Sequence, residues 1–247
     1  MRRLGDALVI YTNRHGGVSS PPFESLNLGR FTDDDPEAVR VNWGRVVDVL
    51  RDRGVGLPAG VNGIAWVHQV HGSDVHVVGP GDLPGPGPTV EADALVTTEV
   101  GLPLGVPGAD CALVALATTA AVAAVHAGWK GLAAGVMKAA VDRLRDVSAP
   151  ADGVRAVLGP CIHAGSYEFD DAALDDLVAR LGPSVRGATR DGAPAFDLPA
   201  AVRSELARAG VTDLDDVGVC TASSPDHFSH RRDAPTGRQA MLVTRFR

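Results

Sequence analysis

The strongest constraint on this chain lies between Gly108 and Gly131, where two apolar runs of strand length flank a Thr-Thr-Ala turn. The first run opens on Asp110-Cys111, and the second closes on His126 before a Gly-Trp-Lys-Gly corner. This pattern predicts an antiparallel hairpin in the core. The start of its first strand lies beside the end of its second, so the thiol of Cys111 and the imidazole of His126 are predicted neighbours. Asp110 faces the opposite way along the strand, which predicts a role in holding the turn rather than as a fellow ligand.

A thiol and an imidazole at one strand end are two of the three protein ligands that a catalytic zinc needs when its fourth position is open. Two further histidines, His68 and His71, lie in a segment that predicts two strands broken by a His-Gly-Ser-Asp turn. Strand side chains alternate between faces, so these two point opposite ways, whereas Gln69 and His71 share a face. His71, at the edge of the turn beside Gly72, is the better ligand candidate, and His68 is predicted to be structural.

The composition of the 247-residue chain, 45% hydrophobic and 21% charged, is typical of a globular protein with one large core or at most two modules. Three cysteines without a CxxC pair indicate reduced thiols rather than a disulfide framework. The net charge of −7 provides no basic face for duplex DNA. No signal-peptide pattern and no run of roughly 20 apolar residues is present, so we expect a cytoplasmic protein without membrane contacts.

Several turns contain residues suited to a substrate or a phosphate. Arg14 and Ser19 flank a Gly-Gly turn, and Asn27 lies in a compact polar loop. Lys130 stands at a glycine-rich corner leading into a helix, where backbone N–H groups favour anions. Arg231 belongs to an arginine cluster that could bind phosphate or carboxylate, and could equally form ion pairs with nearby aspartates. We predict that these five residues contact substrate or phosphate.

Periodicity and capping signals predict the remaining elements. Helices are expected at residues 36–51, 132–147, 170–181 and 198–209, and further strands at residues 7–12, 154–161, 216–221 and 240–246. A Pro/Gly-rich stretch at residues 79–88 predicts a surface loop.

Several separate motifs of the chain agree with one family. In order, they are Thr-Asn-Arg-His-Gly-Gly-Val-Ser, Ser-Leu-Asn-Leu-Gly, Gln-Val-His-Gly-Ser-Asp-Val, Ala-Asp-Cys, Val-His-Ala-Gly-Trp-Lys-Gly, Leu-Gly-Pro-Cys-Ile, Tyr-Glu-Phe, Phe-Ser-His-Arg-Arg-Asp and Thr-Gly-Arg. Through these motifs the chain, from about residue 9 to 245, resembles the laccase-like polyphenol oxidase family, also described as the purine nucleoside phosphorylase or peptidoglycan-editing-factor family. Lys130 replaces the arginine usual at its position, which keeps the charge but loses the planar bidentate fork.

The resemblance implies an α+β fold, a single domain over residues 1–247 built as a layered α-β-β-α sandwich of mixed sheets with flanking helices. It implies a catalytic zinc held by His71, Cys111 and His126. It further implies phosphorolysis of adenosine, inosine, guanosine and methylthioadenosine, together with deamination of adenosine. The expected partners are therefore purine nucleosides and phosphate, without nucleic acid or membrane. The preferred nucleoside and the oligomeric state stay open, and a monomer is compatible with the sequence.

Two other functions remain open at this point. Cys111 as nucleophile and His126 as base would make a thiol hydrolase or amidase that edits peptidoglycan precursors. A structural zinc would instead make a binding module, although structural sites usually have four protein ligands and the sequence offers three. Two histidines and a cysteine are also a copper ligand type, but a multicopper cluster needs paired histidine motifs, and this chain has 8 histidines and no His-x-His. Zinc is therefore expected, with at most adventitious copper.

Overall fold

The computed structural model describes residues 1–54, 63–79, 82, 90–148 and 153–246. Most of the Pro/Gly-rich stretch at residues 79–88 lies outside these ranges. Within them the strands are β1 (Arg2–Leu4), β2 (Ala7–Tyr11), β3 (Val75–Val77), β4 (Ala94–Thr97), β5 (Leu104–Gly108), β6 (Ala112–Ala117), β7 (Val122–Ala127), β8 (Arg155–Leu158), β9 (Arg186–Ala188), β10 (Pro194–Phe196), β11 (Asp213–Asp216) and β12 (Gln239–Arg245). The helices are α1 (Pro36–Asp52), α2 (Trp129–Ala134), α3 (Val136–Asp146), α4 (Asp171–Leu181), α5 (Leu198–Arg208) and α6 (His230–Asp233). None of these helices combines the length and hydrophobicity that crossing a bilayer requires.

Two sheets pack face to face, and helices cover their outer faces. One sheet has the order β1-β2-β12-β5 and the other the order β11-β8-β6-β7-β4-β3, while β9 and β10 form a separate ribbon. Alternate residues of β2 and β12 face either the other sheet or α1, as Val9 and Leu8 illustrate. Helices α2 to α5 cover the six-stranded sheet. This arrangement confirms the α-β-β-α architecture.

The predicted central hairpin is present as β6 and β7. Both strands are buried throughout, because one face packs on the helices and the other on the second sheet. Their antiparallel register pairs Ala112 with Ala127 and Leu113 with His126. Since side chains alternate along each strand, Cys111 and His126 continue the rows that face the other sheet, and they lie at the same end of the hairpin.

Two predicted elements differ in the structure. The helix expected at residues 132–147 begins earlier, at Trp129, and is interrupted at Gly135, whose φ of 88° is left-handed and ends α2. The segment from Ile64 to Val78 contains only the strand β3, preceded by isolated bridges at Ala65 and His68. The alternating apolar residues of this segment are typical of a strand. In the structure, however, its backbone before β3 pairs with neighbouring segments only at single residues, so the alternation of a continuous strand does not apply there.

The strand predicted at residues 216–221 lies earlier in the chain in the structure. The strand β11 ends at Asp216, before most of the apolar run at residues 216–221, and pairs in parallel with β8. Beyond it the chain makes one further bridge, between Cys161 and Cys220. By contrast, the helix predicted from Pro36 is confirmed: the side chain of Asp35 caps it by accepting from the backbone N–H of Glu37.

Candidate metal centre and its cleft

The side chains of His71, Cys111 and His126 converge at one end of the hairpin. Their ligand atoms all lie within 4.8 Å of one another, and the part of the chain that the structure describes contains one such group. The Sγ of Cys111 is 3.9 Å from Nε2 of His71, and the two imidazole rings meet edge to face at 4.9 Å between centroids. Two ring nitrogens and a sulfur at this spacing form a group that could bind a metal ion.

A buried carboxylate that was not predicted from the sequence organises this group. Asp93 is fully buried, and its Oδ1 lies 2.8 Å from Nδ1 of His126. The same carboxylate accepts from the backbone N–H groups of Val70, His71 and Gly72 at 3.2, 3.0 and 2.6 Å. Because Nδ1 of His126 faces Asp93, Nε2 is the nitrogen left for a metal, which it can bind after losing its proton.

The sequence did contain a signal for Asp93. The residue stands between two alanines immediately before the apolar strand β4, and a carboxylate buried at such a position requires hydrogen-bond partners. The pattern could not identify those partners, because they come from a turn that is more than twenty residues away in the chain.

The turn at His71 explains why alternation along a strand did not describe this segment. His71 has a φ of 60°, so the backbone reverses there and three consecutive N–H groups surround the carboxylate of Asp93. The amide of Gln69 donates to the carbonyl of Pro107 at 2.9 Å and is not in the ligand group. His68 lies outside the ligand group as well, with its ring 4.4 Å from that of Phe31.

The electrostatics of the centre favour the protonation state of Cys111 that binds metals. Burial alone would raise the pKa of its thiol, but the charge of His126 and hydrogen bonds with both histidines outweigh burial and lower the pKa to about 6. Burial likewise disfavours a charged His126, yet Cys111 and Asp93 raise the pKa of that imidazole. A thiolate is therefore the main form of Cys111 near neutral pH, and the thiolate is the ligand form of cysteine.

Asp110 holds the backbone that leads into Cys111. Its φ is 85°, and its carboxylate accepts from Thr221 Oγ1 at 2.6 Å and from the backbone N–H of Arg231 at 2.7 Å. Its carbonyl accepts from the N–H of Ile162 at 2.8 Å. These bonds agree with the predicted turn-holding role and leave the carboxylate outside the ligand group.

Gly128 leaves the space in which two of the ligands meet. A Cβ at this position would lie 3.0 Å from both the Sγ of Cys111 and the Cδ2 of His71. Gly128→Ala is therefore expected to separate these side chains and to weaken the affinity of the group for a metal ion about 10-fold or more, as changes beside metal ligands typically do. Zinc affinity measured by competition with a chelator tests this. Gly44→Ala is the matched control, because no atom lies within 4 Å of its added Cβ in α1, and its zinc affinity should be unchanged.

The ligand group opens into a cleft with a volume of about 650 Å³. Lys130 and Arg231, two of the predicted contacts, line this cleft. The guanidinium of Arg231 lies 4.8 Å from the ring centroid of Tyr167 and donates to the carbonyl of Glu168. Lys130 Nζ lies 5.4 Å from the ring of Trp129. One part of the cleft wall is thus cationic and aromatic.

The other three predicted contacts lie outside the lining of the cleft. Arg14 donates to the carbonyl of Glu24 and lies over the ring of Phe228. Ser19 is buried and accepts from the amide of Asn42. Asn27 is fully buried and accepts from the backbone N–H groups of Gly29 and Arg238. The structure does not bring these three residues together with the ligand group, because a turn motif indicates polar residues without indicating which way they face.

Two cleft residues carry positive charge that the sequence did not identify as functional. Arg30 and Arg238 both line the cleft. Arg238 belongs to the Thr-Gly-Arg motif, so the motif was visible, but its distance in sequence from the ligand group concealed the connection. No comparable sequence signal marked Arg30.

The chain is similar to known proteins over nearly its whole length. Residues 8–245 match the family model described as "Multi-copper polyphenol oxidoreductase laccase". A protein of Streptomyces coelicolor named purine nucleoside phosphorylase is 43% identical over 237 residues, covering 94% of this chain and 93% of the relative. One of the same name from Mycobacterium tuberculosis is 40% identical over 236 residues, covering 95% and 90%.

Solved structures show the same similarity. The crystal structure of YlmD from Geobacillus stearothermophilus superposes with a TM-score of 0.84 at 32% identity, covering 98% of this chain and 93% of that one. The Bacillus licheniformis hypothetical protein YfiH gives a TM-score of 0.83 at 30% identity, with 97% and 92% covered.

Proposed function

The chain belongs to the multi-copper polyphenol oxidoreductase laccase family, and from this premise we propose that it is a zinc-dependent purine nucleoside phosphorylase that also deaminates adenosine. The observation that carries the proposal is the group of His71, Cys111 and His126 at the base of a cleft with cationic walls. The names of the relatives support the nucleoside and phosphate chemistry.

The donor set fits zinc. Two imidazole nitrogens and one thiolate are ligands of the borderline-soft type that zinc prefers, and three protein ligands beside an open cleft are the pattern of catalytic rather than structural sites. Asp93 orients His126, as outer partners of metal-bound histidines commonly do. When bound, zinc would supply Lewis acidity toward substrate atoms in the cleft.

The residues of the cleft suit a reaction between a purine nucleoside and phosphate. In phosphorolysis an oxygen of phosphate bonds to ribose C1′, the bond from C1′ to the purine nitrogen breaks, and the departing base takes up a proton. Lys130 and Arg231 raise the positive potential of the cleft, which attracts the phosphate anion. Trp129 and Tyr167 offer aromatic surface for the base. In deamination, water replaces the amino group on C6 and ammonia leaves.

Incubating the pure protein with adenosine, inosine, guanosine and methylthioadenosine, with and without phosphate, tests the proposal. We expect phosphate-dependent release of the free base with an equal amount of ribose 1-phosphate, or of the methylthio derivative of that sugar phosphate. Conversion of adenosine to inosine without phosphate would report the deaminase activity. Metal analysis of protein purified without added metal should give about one zinc per chain. Absence of base release from all four nucleosides in zinc-loaded protein would contradict the proposal.

One observation favours a second candidate function. The lowered pKa of Cys111 beside His126 is also the arrangement of a cysteine nucleophile with a neighbouring base, as in a thiol amidase acting on peptidoglycan precursors. Metal content discriminates between the two, because a zinc-bound thiolate is a poor nucleophile. Metal-free protein that hydrolyses such precursors and is inactivated by alkylation of Cys111 would favour the amidase.

A further inference from the structure

Three arginines line the cleft without a described carboxylate partner, namely Arg30, Arg231 and Arg238. Arg30 and Arg238 both line it, and neither forms an ion pair within the described residues. Arg14 and Arg232, which lie outside the cleft lining, are instead within 4.0 Å of Asp233. An unneutralised arginine pair in a concave site is a binding site for an anion.

Main-chain contacts hold Arg238 in place. Its backbone N–H donates to Asn27 Oδ1 at 2.9 Å, and its carbonyl accepts from the N–H of Leu28 at 2.9 Å. One guanidinium nitrogen, NH1, donates to the carbonyls of Thr236 and Gly237 at 2.7 and 3.0 Å. The Nε and the other terminal nitrogen have no partner among the described residues, so these two donors remain for a ligand.

Arg238 also lies close to the ligand group. Burial lowers the pKa of Arg238, and the negative charges of Cys111 and Asp110 act in the opposite direction. The side chain is thus a desolvated cation in the cleft that His71, Cys111 and His126 also line, and carbonyl oxygens are its described side-chain partners. This environment favours binding of an anion near the reacting atoms.

Arg30 lies against two tryptophan rings, one from α1 and one from the segment before β3. Its guanidinium carbon lies 4.0 Å from the ring centroid of Trp66 and 5.3 Å from that of Trp43. Stacking on ring faces leaves the N–H groups at the edge of the guanidinium without a described hydrogen-bond partner. Arg30 keeps an exposed surface, but the surrounding protein partly desolvates its guanidinium and lowers the pKa of Arg30 to about 10, so it stays charged at neutral pH.

The two arginines are linked through Gly29. A Cβ at Gly29 would lie 2.7 Å from Cγ of Arg238, so the stem of Arg238 packs directly on the residue that precedes Arg30. Asn27 accepts from the N–H groups of both Gly29 and Arg238, at 2.9 Å each. Buried Asn27 is therefore a positioning residue for the arginine pair rather than a direct contact.

We propose that Arg238 and Arg30 form the phosphate-binding subsite of the cleft, and that the ligand is inorganic phosphate, the nucleophile of the reaction. This proposal rests on the proposed function, because it assigns a binding site to phosphate, the second substrate of that reaction. Arg231 is less suited because no described contact links it to Arg30 or Arg238 in the way that Gly29 links those two. Lys130 carries a single flexible ammonium without the planar fork of a guanidinium.

Steady-state kinetics of Arg238→Gln and Arg30→Gln, with phosphate varied at saturating adenosine, test the subsite. We expect the KM for phosphate to rise about 10- to 100-fold for Arg238→Gln and about 3- to 10-fold for Arg30→Gln, since each loses charge-assisted hydrogen bonds. The KM for adenosine should change less than about threefold in both, because the nucleoside does not bind at these arginines. Arg238→Lys should recover part of the loss. Arg40→Gln, an exposed residue of α1 paired with Glu37, is the matched control and should leave both constants unchanged.

Calorimetric binding of inorganic phosphate and of adenosine 5′-monophosphate separates two sources of the phosphate group. The dissociation constant of inorganic phosphate should rise in Arg238→Gln by the same factor as its KM. If adenosine 5′-monophosphate loses affinity in that variant while inorganic phosphate does not, the arginines bind an ester phosphate and the proposal is overturned. An unchanged KM and dissociation constant for phosphate in correctly folded Arg238→Gln and Arg30→Gln would overturn it as well.

The binding measurement also distinguishes this proposal from the proposed function. If phosphate binds through Arg238 but the protein cleaves no nucleoside, the phosphate subsite is supported and the phosphorylase function is contradicted. Should Arg238→Gln fail to fold, Arg30→Gln keeps the test decisive, since the side chain of Arg30 is exposed and makes no described hydrogen bond.

Discussion

Cys111→Ala is expected to abolish the proposed phosphorolysis and the proposed zinc binding, with kcat/KM falling by at least about 10³-fold. The physical reason is that two imidazoles remain where three protein ligands are needed, while changes to outer partners alone typically cost 10- to 100-fold in metal affinity. His71→Ala and His126→Ala should behave in the same way. The measurements are kcat/KM for adenosine at saturating phosphate and the zinc content per chain.

Cys220→Ala is the matched control for this experiment. Its sulfur accepts from the backbone N–H of His163 at 3.4 Å and lies outside the lining of the cleft, so activity and zinc content should be retained. Full activity in Cys111→Ala protein that contains no zinc would contradict the metal mechanism. Loss of activity in Cys111→Ala with zinc content unchanged would instead favour the thiol nucleophile.

Asp93→Asn is expected to destabilise the fold and the metal centre together. Asp93 is fully buried and accepts hydrogen bonds from His126 and three backbone N–H groups. Replacing one of its oxygens by an NH2 group places a hydrogen-bond donor opposite groups that are themselves donors. Breaking a buried charged network of this kind should lower the free energy of unfolding by about 3–5 kcal/mol. Zinc affinity should fall about 10- to 100-fold, because His126 loses the acceptor that fixes its ring. Denaturant unfolding and chelator competition measure the two effects.

The effect of Asp93→Asn on stability should depend on pH in a defined direction. Burial favours the neutral acid, but the hydrogen bonds and charge of His126, with the N–H groups of Gly72 and Val70, lower the pKa of Asp93. A carboxylate whose pKa is lowered by folding stabilises the folded state above its unfolded pKa, and this contribution is lost as the pH falls through the folded pKa. The difference in unfolding free energy between Asp93→Asn and the unchanged protein should therefore be full at neutral pH and shrink in acid.

Glu91→Gln is the matched control for Asp93→Asn. It changes a carboxylate beside a histidine in the same segment, but the pair of Glu91 and His68 is exposed and 3.6 Å apart. Such a pair contributes little, so the free energy of unfolding should change by less than about 1 kcal/mol. Equal destabilisation by the two substitutions would show that burial of Asp93 is not what makes it important.

The sequence predicted the elements whose signals are local. The hairpin of β6 and β7 could be predicted because two apolar runs of strand length and a turn leave few other arrangements. The cap at Asp35 predicted the start of α1 for a similar reason. Where local signals were ambiguous the prediction was wrong, as at Gly135, whose left-handed backbone splits a continuous helical pattern.

The sequence by itself determined that a thiol and an imidazole lie at one end of a buried hairpin, since strand alternation and antiparallel pairing are properties of neighbouring residues. Only the tertiary structure decided that Asp93 hydrogen-bonds His126, that Asn27 accepts from the backbone N–H of Arg238, and that Arg30 and Arg238 line one cleft. Whether a polar group is paired or left free for a ligand depends on which distant backbone and side-chain atoms surround it. Those neighbours are set by the packing of the two sheets and their loops, which no local pattern specifies.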